Sequence, residues 1–117
     1  MKEWEIWFAS FPYEDNPQIV KKRPVIILNV APIEVLSVKV TSHDIRDSDV
    51  YDTPIEHWKD AGLDKPSIAR VSKTMRLDQG NFEFKIGDLD TEDQNLILNQ
   101  YVRYTNECQN VQDETAV

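Results

Sequence analysis

The chain is poor in the residues that would commit it to several specialised chemistries. Its 117 residues include a single cysteine, Cys108. No internal disulfide can form, and a reducing, cytoplasmic location is expected. A lone thiol with no base beside it in sequence reads as helix packing before it reads as a nucleophile. The two histidines, His43 and His57, lie apart and share no ligand spacing with Cys108, so no metal site is expected. Only three glycines occur, Gly62, Gly80 and Gly87, each at a predicted turn or cap. That excludes a glycine-rich phosphate loop, and no cofactor is expected. No apolar run approaches the ~20 residues that cross a bilayer. The charged, aromatic start Met1-Lys2-Glu3-Trp4-Glu5-Ile6-Trp7 lacks the apolar stretch of a signal peptide.

Basic residues are also scarce, 13 against 21 acidic ones, for a net charge of −8. Taken whole, that balance argues against nucleic-acid binding. The distribution changes the reading. Residues 44–60 hold six acids and two bases, and the last thirteen residues hold Glu107, Asp113 and Glu114. These segments carry −7 of the total and leave the remaining chain nearly neutral. Within that remainder, Lys21-Lys22-Arg23 stands directly before Pro24 and the apolar run Val25-Ile26-Ile27-Leu28. Proline has no N–H and a fixed φ, so Pro24 is expected at the first residue of a strand. The three cations then sit at the rim of a sheet, within reach of a phosphate.

Hydrophobic periodicity gives the order of elements. A strand is predicted over 3–10, with Trp4, Ile6 and Phe8 on one face, followed by a proline-containing loop over 11–22. The continuous β-branched run over 24–30 reads as a strand buried on both faces. In 33–42, Leu36, Val38 and Val40 alternate with Ser37, Lys39 and Thr41, which puts Thr41 on the side of Lys39 and away from the core. A short strand near 50–55 precedes a helical turn over 56–61 with Gly62 as its C-cap. Strands over 67–77 and 82–86 are joined by Gln79-Gly80-Asn81 as a hairpin. A helix is expected from about Thr91 to Glu107, with Thr91 and Gln94 as a capping box and Ile97, Leu98, Tyr101, Val102, Tyr104 and Thr105 as its apolar stripe. Residues 1–108 form one domain in this reading, and 109–117 carry too little apolar surface to fold and form a disordered acidic tail. The fold class is mainly β (α+β): a small, bent antiparallel sheet or barrel closed by a C-terminal helix.

Two arginines are candidates for chemistry, Arg23 before the second strand and Arg70 within a later one, with Thr41 and Ser42 ending a strand between them. If these strands are neighbours, two guanidinium groups and a hydroxyl converge as a phosphodiester site requires. The plainer alternative pairs both arginines with surface carboxylates. His43 follows the hydroxyl pair and is a candidate acid or base near neutral pH; otherwise it is a solvated turn residue. Lys21, Lys22, Lys39, Ser42, Ser72 and Lys73 complete the expected contacts to such a phosphodiester chain.

Three blocks together resemble the MazF/PemK toxins of type II toxin–antitoxin systems: Trp4-Glu5-Ile6-Trp7 with Lys22-Arg23-Pro24-Val25-Ile26-Ile27-Leu28, then Val38-Lys39-Val40-Thr41-Ser42, then Gly62-Leu63-Asp64-Lys65-Pro66-Ser67-Ile68-Ala69-Arg70-Val71. The resemblance spans about residues 3–104. It implies an SH3-like barrel, a homodimer, a cognate antitoxin partner, and mRNA interferase activity. Such an enzyme cleaves single-stranded RNA without metal, by attack of a 2′-hydroxyl on the adjacent phosphate. By the same resemblance Arg23, Thr41 and Arg70 fall on site positions. Two departures bear on the general base: Ser72 stands where the PemK branch has an acid, and Gln18 where some MazF members have a glutamate. Glu14, Asp15 and His43 are the substitutes in reach. The alternative reading is a catalytically inactive barrel of this type that binds RNA or a protein partner.

Overall fold

The computed structural model describes residues 1–12, 16, 18–42 and 49–116, with 109–116 described by backbone alone. Six strands and one helix follow in order: β1 (Glu5–Pro12), β2 (Val20–Val30), β3 (Glu34–Thr41), β4 (Asp52–Ile55), β5 (Ser67–Asp78), a 3-10 turn over Gln79–Asn81, β6 (Phe82–Asp88) and α1 (Thr91–Ala116). The strands form one antiparallel sheet in the order β4-β5-β3-β2-β1-β6.

Both faces of the sheet's centre are covered, as the unbroken apolar run in β2 requires. Ile26 points into the larger core with Ile6, Val38, Val40, Ala69, Val71, Leu89 and Ile97, while its neighbour Val25 packs with Ala9, Phe11 and Leu77 in a second cluster. Trp7 joins that second cluster, edge-on to Phe82, and its indole N–H donates to Glu5 Oε1 at 2.9 Å. Its indole is therefore packed within the chain.

Pro24 is not the first residue of its strand. β2 begins at Val20, and Pro24 lies opposite Phe8 of β1. Pairing of β2 with β3 begins only at Val25. Over Val20–Pro24 the strand thus has one neighbour among the described residues, and a missing N–H is tolerated there. The cations remain at a rim, now as part of β2.

The predicted hairpin between 67–77 and 82–86 does not form. β6 crosses to the opposite edge and pairs with β1, with Phe84 opposite Phe8. Register shifts flank that pair, between Ile6 and Trp7 and between Phe8 and Ala9. β5 instead lies between β3 and β4, and a register shift opposite Ser37 and Lys39 bends it.

The two edges meet through the turn after β4. Leu63 N–H donates to Trp58 C=O and Gly62 N–H to Lys59 C=O, a Schellman ending with Gly62 at φ 90°. This turn sits on β6: a Cβ on Gly62 would stand 2.7 Å from the Ile86 carbonyl oxygen. Trp4, at φ 70°, is the described non-glycine residue in the left-handed region, a conformation that costs roughly 1–2 kcal/mol. Its backbone joins two elements, donating to Ile27 C=O and accepting from Leu89 N–H.

Helix α1 is capped by Asp90, not Thr91. Asp90 Oδ1 accepts from Glu92 N–H at 2.9 Å, while Gln94 reaches back to Leu89 C=O at 2.7 Å. Aspartate is an equally good cap and lies one residue nearer the chain's exit from β6. Ile97, Tyr101 and Tyr104 face the core, whereas Leu98 and Val102 are exposed, so the buried stripe is narrower than the sequence pattern. No proline or glycine interrupts the chain after Glu107, and helical backbone continues to Ala116. No described helix is long and apolar enough to cross a membrane.

Candidate functional site

A groove of about 630 Å³ opens along the β6–β1–β2 side of the sheet. Its lining brings together Lys21, Lys22, Arg23 and Pro24 from β2, Thr41 and Ser42 from the end of β3, and Gly62 to Lys65 from the turn after β4. Phe8 and Phe84 form its aromatic part, with Lys85 and Ile86 beyond them. Five cationic side chains and one carboxylate, Asp64, line it, in a protein of net charge −8. The groove is the electropositive exception that the charge distribution allowed.

Local structure explains each placement. Among the described residues β2 over 20–24 pairs with β1 alone, so Lys21 to Arg23 lie at the edge of the sheet, with Lys21 exposed and Arg23 half-buried. β3 ends at Thr41 opposite Ile68, and Ser42 is the first residue past it. Thr41 is buried while still reaching the groove. Lys22 Nζ pairs with Glu83 at 2.6 Å, and Lys85 Nζ with Glu5 at 3.0 Å and Asp88 at 3.1 Å. The hydrogen bond from Trp7, and then those from Lys85 and Lys2, pull the Glu5 carboxyl from the ordinary 4.5 to about 2 against the opposing effect of burial.

Arg70 lies outside the groove. It is 6 % exposed, and its guanidinium pairs with the buried carboxylate of Asp52, its cross-strand partner on β4. Arg70 is thus held by Asp52 of β4 and is not among the residues that line the groove with Arg23. Lys39 is the cross-strand partner of Arg70 on the other side and does not line the groove. Ser72 donates to Asp49, and Ser72 and Lys73 occupy the bent part of β5, also away from it. His43, Glu14 and Asp15 lie outside the described residues. Gln18 is exposed, with its N–H on Asn16 Oδ1.

The site holds residues that the sequence pattern did not single out. Phe84 alternates with Glu83 and Lys85 in sequence, yet it is 54 % exposed and stacked on Phe8, with centroids 5.1 Å apart and planes 20° apart. The signal lay in the long-range β1–β6 pairing, which one sequence does not display. Lys65 and Lys85 likewise reach the groove only through the turn after β4 and through β6.

A second titratable cluster joins the helix to the same turn. His57, Asp90 and Asp93 bring their ligand atoms within 4.8 Å of one another. Both oxygens of the buried Asp93 are already occupied, accepting from the backbone N–H groups of Glu56 and His57 at 2.9 Å each. The grouping is accounted for as a cap of the 56–61 turn. The His57 imidazole pairs with Glu92 and lies near Asp90, which raises its pKa against the effect of burial.

Comparison with known proteins agrees with this architecture. A search of curated proteins gives no match. Among solved structures, the Mycobacterium tuberculosis toxin MazF-mt6 superposes with a TM-score of 0.67 at 21% identity, covering 87% of this chain and 96% of that one. At that identity the likeness establishes the fold, a mainly β MazF-like sheet with one C-terminal helix. The family described as PemK-like, MazF-like toxin of type II toxin-antitoxin system matches residues 2–102, all of the sheet and nearly half of α1. With that match across most of its length, the chain belongs to the PemK-like, MazF-like toxins of type II toxin–antitoxin systems.

Proposed function

We propose that this protein is an endoribonuclease toxin that cleaves single-stranded RNA in the groove, with a cognate antitoxin as its partner and a homodimer as its working form. Membership of a family whose members are generally endoribonucleases supports the class of reaction. The observation that carries the reading is the meeting of Arg23, Thr41 and Ser42 with Lys21 and Lys22 at one cationic end of the groove.

The chemistry follows from those groups. A ribose 2′-hydroxyl loses its proton to a base and attacks the adjacent phosphorus. The P–O5′ bond breaks, leaving a 2′,3′-cyclic phosphate and a 5′-oxygen that takes up a proton to become the 5′-hydroxyl. Charge builds on the equatorial oxygens of the phosphorane. A guanidinium such as Arg23 meets two of those oxygens with parallel hydrogen bonds, which a lysine does not do. The Thr41 and Ser42 hydroxyls supply further donors, and Lys21 and Lys22 hold the flanking backbone. The reaction requires no metal in this scheme. The base is sought among Glu14, Asp15 and His43. Arg70 has a structural part in this scheme, holding β4 to β5 through Asp52.

Purified protein incubated with a long single-stranded RNA in the presence of chelator is expected to produce new ends carrying cyclic phosphate. Arg23→Ala is expected to lower the rate by about 100-fold or more while leaving the fold intact, because Arg23 lies at a rim. Equal rates for Arg23→Ala and parent would refute the assigned site. RNA binding without new ends would identify a binding module instead of an enzyme.

A further inference from the structure

We infer that the Phe8–Phe84 pair is a stacking platform for one unpaired nucleobase of the RNA, set beside the phosphate-binding end of the groove. This rests on the proposal that the groove takes RNA, and it adds how that RNA is held. Phe84 is 54 % exposed on an edge strand, although its ring is held nearly parallel to Phe8 at 5.1 Å. A ring fixed by a partner on one face and open on the other presents a flat, preorganised π-surface. Every nucleobase has a face that matches it.

Position supports the same reading. Pro24, Phe8 and Phe84 are successive cross-strand partners, so they form one row across β2, β1 and β6. Two strand spacings, about 10 Å, separate Pro24 at the start of that row from Phe84. Arg23 and the aromatic pair line the same groove, so an RNA strand running along it brings a base near its Arg23-bound phosphate to the platform. The register shifts between Ile6 and Trp7 and between Phe8 and Ala9 bracket the pair on both sides. Bulges re-aim side chains, and here they put Lys85 and Ile86 in the lining together with Phe84. Lys22, Lys65 and Lys85 line the same groove as the platform, which favours a polyanion over an apolar peptide.

The test is binding of a fluorescent single-stranded 2′-O-methyl RNA oligonucleotide, which lacks the attacking hydroxyl and so reports affinity without turnover. Phe84→Ala is expected to weaken binding roughly 5- to 100-fold, the effect of removing one base–aromatic stack. Phe84→Tyr should bind like the parent, and Phe84→Leu like the alanine variant. Salt dependence should keep the parental slope in all three, whereas Lys21→Ala should reduce it by about one. An abasic oligonucleotide of equal length should bind the parent as weakly as Phe84→Ala binds the intact one. If Phe84→Ala or Phe84→Leu binds as tightly as the parent, the platform is overturned while the RNA reading stands. If the parent binds neither oligonucleotide, the RNA reading fails and the platform with it.

Discussion

Gly87 faces the carbonyl oxygen of Ala61 so closely that a Cβ on it would stand 2.1 Å from that oxygen. β6 and the turn after β4 can approach only because Gly87 has no side chain. The obstructing atom belongs to backbone, in a turn already held by its own Schellman bonds, so it cannot swing aside. Gly87→Ala is therefore expected to destabilise the fold by about 1–3 kcal/mol, as overpacking does. Gly80 has nothing within 4 Å of the same construction and is the control, with Gly80→Ala expected within about 0.5 kcal/mol of the parent. Urea midpoints at constant m-value distinguish the two.

The Asp52–Arg70 pair gives a prediction in which removal of one partner is worse than removal of both. Both side chains are buried, so Asp52→Ala removes a buried counter-charge from the Arg70 guanidinium and is expected to cost about 3–5 kcal/mol. The double variant Asp52→Leu, Arg70→Met should recover most of that loss, because apolar replacements of similar size need no counter-charge. If the folded double variant also retains RNA cleavage, Arg70 is confirmed as structural. If its cleavage falls as far as that of Arg23→Ala, Arg70 belongs to the catalytic apparatus after all.

Two groups give stability opposite pH dependences. The Glu5 carboxyl is lowered from 4.5 to about 2, so its contribution is complete above 4.5 and disappears as pH falls from there toward 2. The His57 pKa is raised above 6.5, so its contribution is complete below 6.5 and is lost as pH rises through the folded-state value. Glu5→Gln should flatten the acid limb of a stability-against-pH curve, and His57→Gln the limb above 6.5. Denaturation midpoints across pH 2 to 9 would read both. An unchanged acid limb in Glu5→Gln would show that its bonds to Trp7 and Lys85 contribute nothing in solution.

Much of the architecture was legible because it was local. The apolar run in β2, the span of β3, the Gly62 cap and the span of β5 each follow from a few consecutive residues. Ser37 and Thr41, expected away from the core, are nevertheless buried because both faces of β3 are covered. The partner of β6 was not, since Gln79-Gly80-Asn81 satisfies the chemistry of a hairpin turn equally well when the chain passes to another edge. Choosing β1 over β5 depends on burying Trp7 against Phe82 and seating Gly87 beneath Ala61, contacts between residues far apart in sequence. The same gap hid Phe84, whose exposure follows from lying at an edge instead of inside a hairpin. That Arg23, Thr41 and Ser42 would share one groove was legible because a proline and a strand end marked them. Arg70 resembled them in sequence but met a carboxylate on a strand whose position no local pattern revealed.

Asp93 links the helix to the groove wall. Its carboxylate holds the Glu56 and His57 amides, and the turn that begins there ends at Gly62 against β6. Helix, turn and groove wall are thereby joined as one cooperative unit of opening, although they are distant in sequence. In native-state hydrogen exchange the Glu56 and His57 amides should open together with the first turns of α1. An RNA seated against the wall at Gly62 and Leu63 would then slow exchange in a helix it never touches.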